Sequence, residues 1–459
     1  MSALIELYAP NDSEFTDSLT HIWEDGSYHA YSTIQAVIRA SSEGIAGERY
    51  WPPYILEMDT IQYRPANYQG GHSAISFGNI TFSLKTFDED SLWPPPKSFS
   101  FNLFSANNGS DIGKNRITSG MMHLSRITDQ GIAYEVYGEK YEVNILDEAI
   151  LYREDSDYSE AEEQPVPLAL GEIEHRQAVR LPDAVGGNFV YHKAGMDGVN
   201  GTDWHVYDDG VLIDANVANE TDTQFELTAS PVGEVTISGV GKIVTLADFV
   251  DYGRQRLGLS LNTANARAPS PELSFYLTGQ QTVLQALDAI CSVHTHLFWI
   301  NISTLNLIDM LTYTDTIIIE NANKVIDSSY SMQTAISAFV AEWDERYPVE
   351  ITAGKMIRER EKKYTVFTQL FYGDEQSIVP YQSSDTAIKL TLQNIRAIYL
   401  RNQGEVALPL TGPIPVPGTR YMIEDTTLLR NTNVEFFVRG VAYNFIDDKL
   451  VLQGDCVLT

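Results

Sequence analysis

Two histidines, His294 and His296, are the only pair in the chain close enough to suggest a metal ligand set. On a strand, a spacing of two turns both imidazoles to one face, which a zinc site could use. No third ligand is signalled beside them, so an ordinary surface or core pair is the simpler account. The run Gly239-Val240-Gly241-Lys242 has the look of a phosphate loop. The first glycine of that motif would fall at Thr236, and Ile243 stands where Ser or Thr would bind magnesium, so a strand-ending turn is expected. The acidic stretch 153–167 contains Asp155, Asp157, Glu160, Glu162 and Glu163 ahead of Pro165 and Pro167. Carboxylates could bind calcium, but the spacing lacks the loop glycine and distal Glu of such a site, and like charges followed by prolines read as a solvated linker. No Gly-x-Ser-x-Gly nucleophile elbow occurs. With 62 Asp and Glu in the chain, some pair always has a glycosidase-like separation, so acidic pairs decide nothing. No catalytic, cofactor-binding or metal-binding residue is assigned, and the chain is not expected to be an enzyme.

The elements around these residues are mostly strands. The chain has 459 residues, enough for roughly two to four domains. Hydrophobic residues make up 43% and charged residues 20%, which argues for folded cores despite a net charge of −31. That sign argues against gripping phosphate backbones or anionic lipid. Two cysteines, Cys291 and Cys456, supply neither a disulfide framework nor a four-thiolate site. Residues 1–15 show no basic segment leading into an apolar one, so no secretory signal is expected, and no apolar run is long enough for a membrane-spanning helix. The 25 Tyr and 18 Phe, with 31 Gly and 19 Pro, suit short half-buried strands joined by turns.

Alternation marks the first segment, 1–152, as a β domain. Residues 74–84 alternate apolar with small or polar side chains and hold Gly78-Asn79 for a bulge or turn. Phe99, Phe101 and Leu103 repeat the period, as do Tyr141, Val143 and Ile145. Trp51-Pro52-Pro53 and Trp93-Pro94-Pro95-Pro96 interrupt it; each is a docking edge or, more simply, a loop pinned by one aromatic. After the 153–167 linker, 168–241 reads as a strand-only module with a hairpin turn at Asp208-Asp209-Gly210. Segment 242–311 is α+β. Thr245 and Thr282 open helices as capping boxes with Asp248 and Gln285, Gly258 is placed to end the first, and strands follow at 297–300 and 305–308. The last segment, 312–459, returns to strands and closes on a hairpin of 434–443 with 450–452. The expected fold class is mainly β with a smaller α+β part, in several domains.

Three stretches resemble tail-tip, or baseplate-hub, proteins of long-tailed bacteriophages. Pro167 to His175, then Val206-Tyr207-Asp208-Asp209-Gly210-Val211 and Pro231-Val232-Gly233-Glu234-Val235-Thr236, look like the family's insertion module. Val244 to Asp248, Arg256-Leu257-Gly258-Leu259, Thr282 to Ile290 and Leu297-Phe298-Trp299 are similar to the helical segment before its short hairpin. Pro417-Gly418-Thr419-Arg420-Tyr421 and the terminal hairpin look like the closing β domain. Together they cover about half the chain, and the order carries more than any one motif. Some relatives carry a cysteine-ligated iron–sulfur cluster, which two cysteines cannot hold; others append a lysozyme or fibre domain, which is not seen here.

The resemblance implies a structural virion protein made in the host cytoplasm and placed at the tail tip, with tube-like β domains. It implies a homotrimer whose paired β domains form a pseudo-sixfold ring between the tail tube and the tip or fibre. Expected partners are the tail tube or distal tail protein, the tape-measure protein and tail-fibre or other tip proteins, with no cofactor and no lipid anchor. DNA would leave through the hub during ejection into the host cell without specific binding, past a lumen whose carboxylates repel phosphate. The competing expectations are a virion-associated polysaccharide-degrading enzyme and a carbohydrate- or receptor-binding β protein.

Overall fold

A computed structural model describes residues 2–8, 38–46, 50–67, 69–76, 78–88, 95–106, 115–138, 165–181, 189–196, 204–221, 223–301, 304–312, 316–318, 327–331, 335–351, 354–368, 373–409, 417–425, 432–445 and 449–458. Residues 153–164 of the acidic run, Trp93 and the strand expected at 141–145 lie outside the described residues. The protein is mainly β, in several sheets, with a smaller α+β part.

Seven antiparallel strands form the first sheet, in the order Ile38–Ser41, Ser2–Tyr8, Ser98–Ala106, Asn115–Ile127, Ile132–Gly138, Asn79–Phe82, Ile55–Met58. Phe99, Phe101 and Leu103 face its core, as the period of two predicts. The alternating run 74–84 does not stay in one strand. It breaks at Gly78, where the Asp59 carboxylate accepts the Asn79 N–H at 2.6 Å and would collide with any Cβ at position 78. The half before the break, Gly70–Ser76, leaves for another sheet, and the half after it, Asn79–Phe82, stays. Trp51 is buried, edge-on to Phe104, and the following Pro52 carbonyl accepts from Ser41 N, so this Trp-Pro-Pro element is a pinned loop.

The second sheet has eleven strands and collects distant parts of the chain. Its path runs Ser260–Asn265, Thr304–Asp309, His296–Asn301, Gly70–Ser76, Ile61–Asn67, Thr432–Asn444, Lys449–Leu458, Asn402–Pro409, Asp327–Ser331, and Thr316–Ile318 and Arg420–Asp425 branch onto it. The expected terminal hairpin forms, with Tyr443 opposite Leu450. One hydrophobic core serves both sheets: Phe82, Phe99 and Tyr134 belong with Phe436, Tyr443 and Leu452. Side chains from the beginning and end of the chain therefore leave water together.

A bulge between Val438 and Gly440 opens the terminal hairpin at Arg439, which is 2% exposed. Its guanidinium meets the fully buried Asp455 carboxylate at 2.6 Å, and Arg401 approaches the same carboxylate at 3.4 Å. Arg401 also donates to the Met310 carbonyl, and Ser73 Oγ donates to the carbonyl of Arg439. Five separate segments thus converge on one buried charge cluster.

In 165–241 the strands form a three-stranded sheet and four strands of a five-stranded one, which Ser274–Leu277 completes, around Phe225, which lies 5.5 Å from both Tyr191 and Trp204. The hairpin turn stands where expected: Asp209 and Gly210 both have positive φ, which Asp and Gly tolerate. Both predicted capping boxes form, on helices Leu246–Arg256 and Val283–Val293. The second helix packs beside Gly70–Ser76: Asp288 accepts the His72 N–H at 2.6 Å, in space that a side chain at Gly71 (φ 85°) would take.

The segment 312–459 departs from its strand-only expectation. It contains a 15-residue helix, Asp385–Tyr399, with Ile388, Leu392, Ile395 and Tyr399 on its buried face. Ser384 makes no side-chain cap, so this helix lacks the signature that marked the other two. It lies on a long hairpin, Ile336–Ile351 with Gly354–Phe367. Tyr364 to Phe367 form the end of that hairpin's second strand.

Removing one partner of a buried ion pair leaves an uncompensated charge, at a cost of about 3–5 kcal/mol. Asp455→Asn is expected to destabilise the full chain by that amount, read as a lower urea midpoint; an unchanged midpoint would contradict the role given to this cluster.

Candidate functional site

His294 and His296 do not share the face of a strand. The helix Val283–Val293 ends with His294 as its C-cap, Thr295 turns with φ 58°, and His296 begins the next strand. The cap forms because the chain must reverse from helix to strand within one residue, and Thr295 Oγ1 and His296 Nδ1 both donate to the freed His294 carbonyl, at 2.7 and 2.8 Å. A carbonyl only accepts, so Nδ1 of His296 carries the proton. All three side chains are buried.

Opposite His296 in register stands Asp309, fully buried. Arg267 grips it bidentately at 2.9 and 2.7 Å and bonds Thr295 Oγ1 with the same guanidinium. Thr312 Oγ1 and Leu311 N complete the carboxylate's partners. Burial pushes Asp309 upward, but the hydrogen bonds from Arg267, Thr312 and Leu311 outweigh it and hold the carboxyl below its usual range. Burial, with the nearby His296 and Arg267 charges, lowers His294 to about 3. Burial also lowers His296 to about 4, against the opposing pull of Asp309. Both rings are neutral at neutral pH. Among the described residues, no group of three His, Cys, Asp or Glu side chains is placed to hold a metal ion. The arrangement locks a helix end to a hairpin.

Gly241 sits where the strand Val235–Val240 ends. Its N–H bonds the Gly171 carbonyl, Lys242 N bonds the Gly195 carbonyl, and the next helix starts only after Thr245. These amides are spent on backbone, so none cradles a phosphate.

A cleft of about 400 Å³ opens between Leu168–Gln177 and the long hairpin. Its walls include Glu172, Glu174, Asp344 and Glu345, with Arg176 and Arg346. Arg346 spans the gap, donating to the His175 carbonyl at 2.7 Å and meeting Glu234 at 3.4 Å. Burial, then the Arg346 charge, push Arg176 below the ordinary guanidinium value. Ser274 Oγ, one of the hydroxyls on the wall, donates to the Glu172 carbonyl at 2.5 Å and is not a poised nucleophile. The cleft is a charged brace between the insertion module and the hairpin. Pattern reading singled out none of Arg267, Asp309, Arg346 or the Arg439–Asp455 pair. A charge ending the apolar run 305–308, Asp309, and one inside 434–443, Arg439, were the available signals for two of these sites.

The neutral histidines make stability depend on pH in one direction. Below pH 6.5 the unfolded chain binds protons that folded His294 and His296 refuse until about pH 3 and about pH 4. Their contribution is therefore whole above pH 6.5 and is lost as pH falls toward 4, at about 1.4 kcal/mol per pH unit for each ring. Urea unfolding across that window is expected to show the loss, and His294→Gln to flatten it; equal slopes in both proteins would contradict it.

No protein-family model and no curated protein matches the chain. Among solved structures, it is similar to the 43 kDa tail protein of prophage MuSo2 from Shewanella oneidensis, at 12% identity over 90% of this chain and 97% of that one, with a TM-score of 0.43. It is similar to a chain in the virion of a native gene transfer agent particle, at 9% identity over 68% and 89%, with a TM-score of 0.42. It is also similar to the tail protein from Neisseria meningitidis MC58, at 13% identity over 58% and 86%, with a TM-score of 0.32.

Proposed function

We propose that the chain is a structural virion protein of a phage tail, a baseplate-hub subunit at the tail tip. The observation that carries this reading is the single core and shared sheet built from the first and last segments, with the insertion module between them in sequence. That is the order the tail-hub resemblance implies. The buried polar clusters fit a frame that holds shape under load, since each joins segments distant in sequence. The subunit would assemble as a homotrimer between the tail tube and the tip or fibre, and the residues that might have done chemistry serve as braces.

The −31 balance belongs to the same proposal. Carboxylates around a central passage would let DNA move through by repelling its phosphates. The charged cleft beside the hairpin is the one feature that favours a polysaccharide-degrading enzyme instead, and turnover on a host glycan would distinguish it.

Gold-labelled antibody against the chain, applied to intact particles, is expected to mark the end of the tail away from the capsid. Label on the capsid, along the tail shaft, or only on free protein would overturn the assignment.

A further inference from the structure

The long hairpin has two faces, set by its register. Directly opposed residues share a face, so Trp343 with Lys362, Glu345 with Arg360, Tyr347 with Arg358 and Val349 with Met356 form one continuous surface. At the base this surface is covered. Phe339 and Ala341, with Trp343, pack among Ile388, Leu392 and Ile395 of the helix Asp385–Tyr399. Lys389 lies over the Tyr364 ring, and Lys362 reaches Asp385, the first residue of that helix, at 3.6 Å. The helix thus runs toward the base, and its cover ends at Lys362.

Beyond that point the same face lies open. Tyr347 is 36% and Met356 43% exposed. Arg358 and Arg360 are exposed, and neither has an ion-pair or hydrogen-bond partner among the described residues. Glu345, opposite Arg360, binds Lys362 at 2.8 Å instead. Along Gly354–Phe367, no strand among the described residues pairs with the outer edge. The opposite face is already engaged within the chain, through Arg346 on the His175 carbonyl and Glu234.

Tyr, Met and Arg are the side chains enriched in protein interfaces. Charge says what they meet. The chain holds 62 carboxylates against 31 Lys and Arg, yet none of the described residues gives the two guanidiniums of this face a counter-charge. A second copy brings the missing carboxylates. We propose that the open face of the hairpin, from Tyr347 to Arg360, docks a second copy of this chain, with acidic side chains of that copy on Arg358 and Arg360. The charges along the strand reject indiscriminate edge pairing and accept a complementary surface. This inference rests on the tail-tip reading, which requires several copies around one axis, and names the surface that joins them.

Sedimentation equilibrium of the full chain tests it, at low and high salt, on wild type, Arg358→Glu/Arg360→Glu and Arg358→Lys/Arg360→Lys. Wild type is expected to self-associate, more weakly at high salt. The charge reversal is expected to weaken association by about tenfold or more, and the lysine variant to retain most of it. Circular dichroism is expected to show all three folded alike, because no described residue of the subunit bonds these guanidiniums. Self-association that survives charge reversal unchanged overturns this surface and leaves the tail-tip reading standing. A monomeric wild type whose antibody still marks the tail tip overturns self-docking alone. A monomeric wild type absent from tails overturns both.

Discussion

The architecture depends on one buried carboxylate, Asp455. An ionised group removed from water costs several kcal/mol unless its neighbours replace the lost solvation. Here Arg439 and Arg401 do so, and each is tied to another segment, through Ser73 and Met310. A hydrophobic core of the same size could hold these strands together, but would allow them to slide. The charge cluster instead admits one register: Arg439 reaches Asp455 only because the bulge at that position turns its side chain inward. The pair Arg267–Asp309, next in the chain to the Met310 that Arg401 holds, plays the same part where it locks the His294 cap to the strand hairpin.

Local chemistry was legible in the sequence wherever it was complete within a few residues. The capping boxes at Thr245 and Thr282, the Asp209-Gly210 turn and the terminal hairpin all formed at their expected positions, because each is decided by neighbours along the chain. Helix Asp385–Tyr399 escaped notice because its start has no side-chain cap, although its apolar spacing was regular. The run 74–84 shows a different limit. Its alternation described strands correctly, but no periodicity says that a carboxylate at position 59 will split the run between two sheets.

The buried polar clusters were illegible for a related reason. Asp309 meets Arg267 across 42 residues, and Asp455 meets Arg401 across 54. An isolated charge in an apolar strand advertises only that it needs a partner, not where the partner is. His294 and His296 form a buried pair, in line with the simpler account of them, but not on one strand face, since the helix ends at one and the strand begins at the other. What looked like ligand chemistry is the geometry of a chain reversal.

The bond from Ser73 to the Arg439 carbonyl spans 366 residues. A ribosome adding about 5–20 residues per second needs roughly 20–70 seconds to make that stretch. Strands Ile61–Asn67 and Gly70–Ser76 are made long before Thr432–Asn444, the partner of Ile61–Asn67 in the sheet. Throughout that interval one sheet edge is unpaired while the first sheet is already able to close. Thr432–Asn444 is therefore a latch, and a ribosome that stalls before making it releases an open, edge-exposed chain.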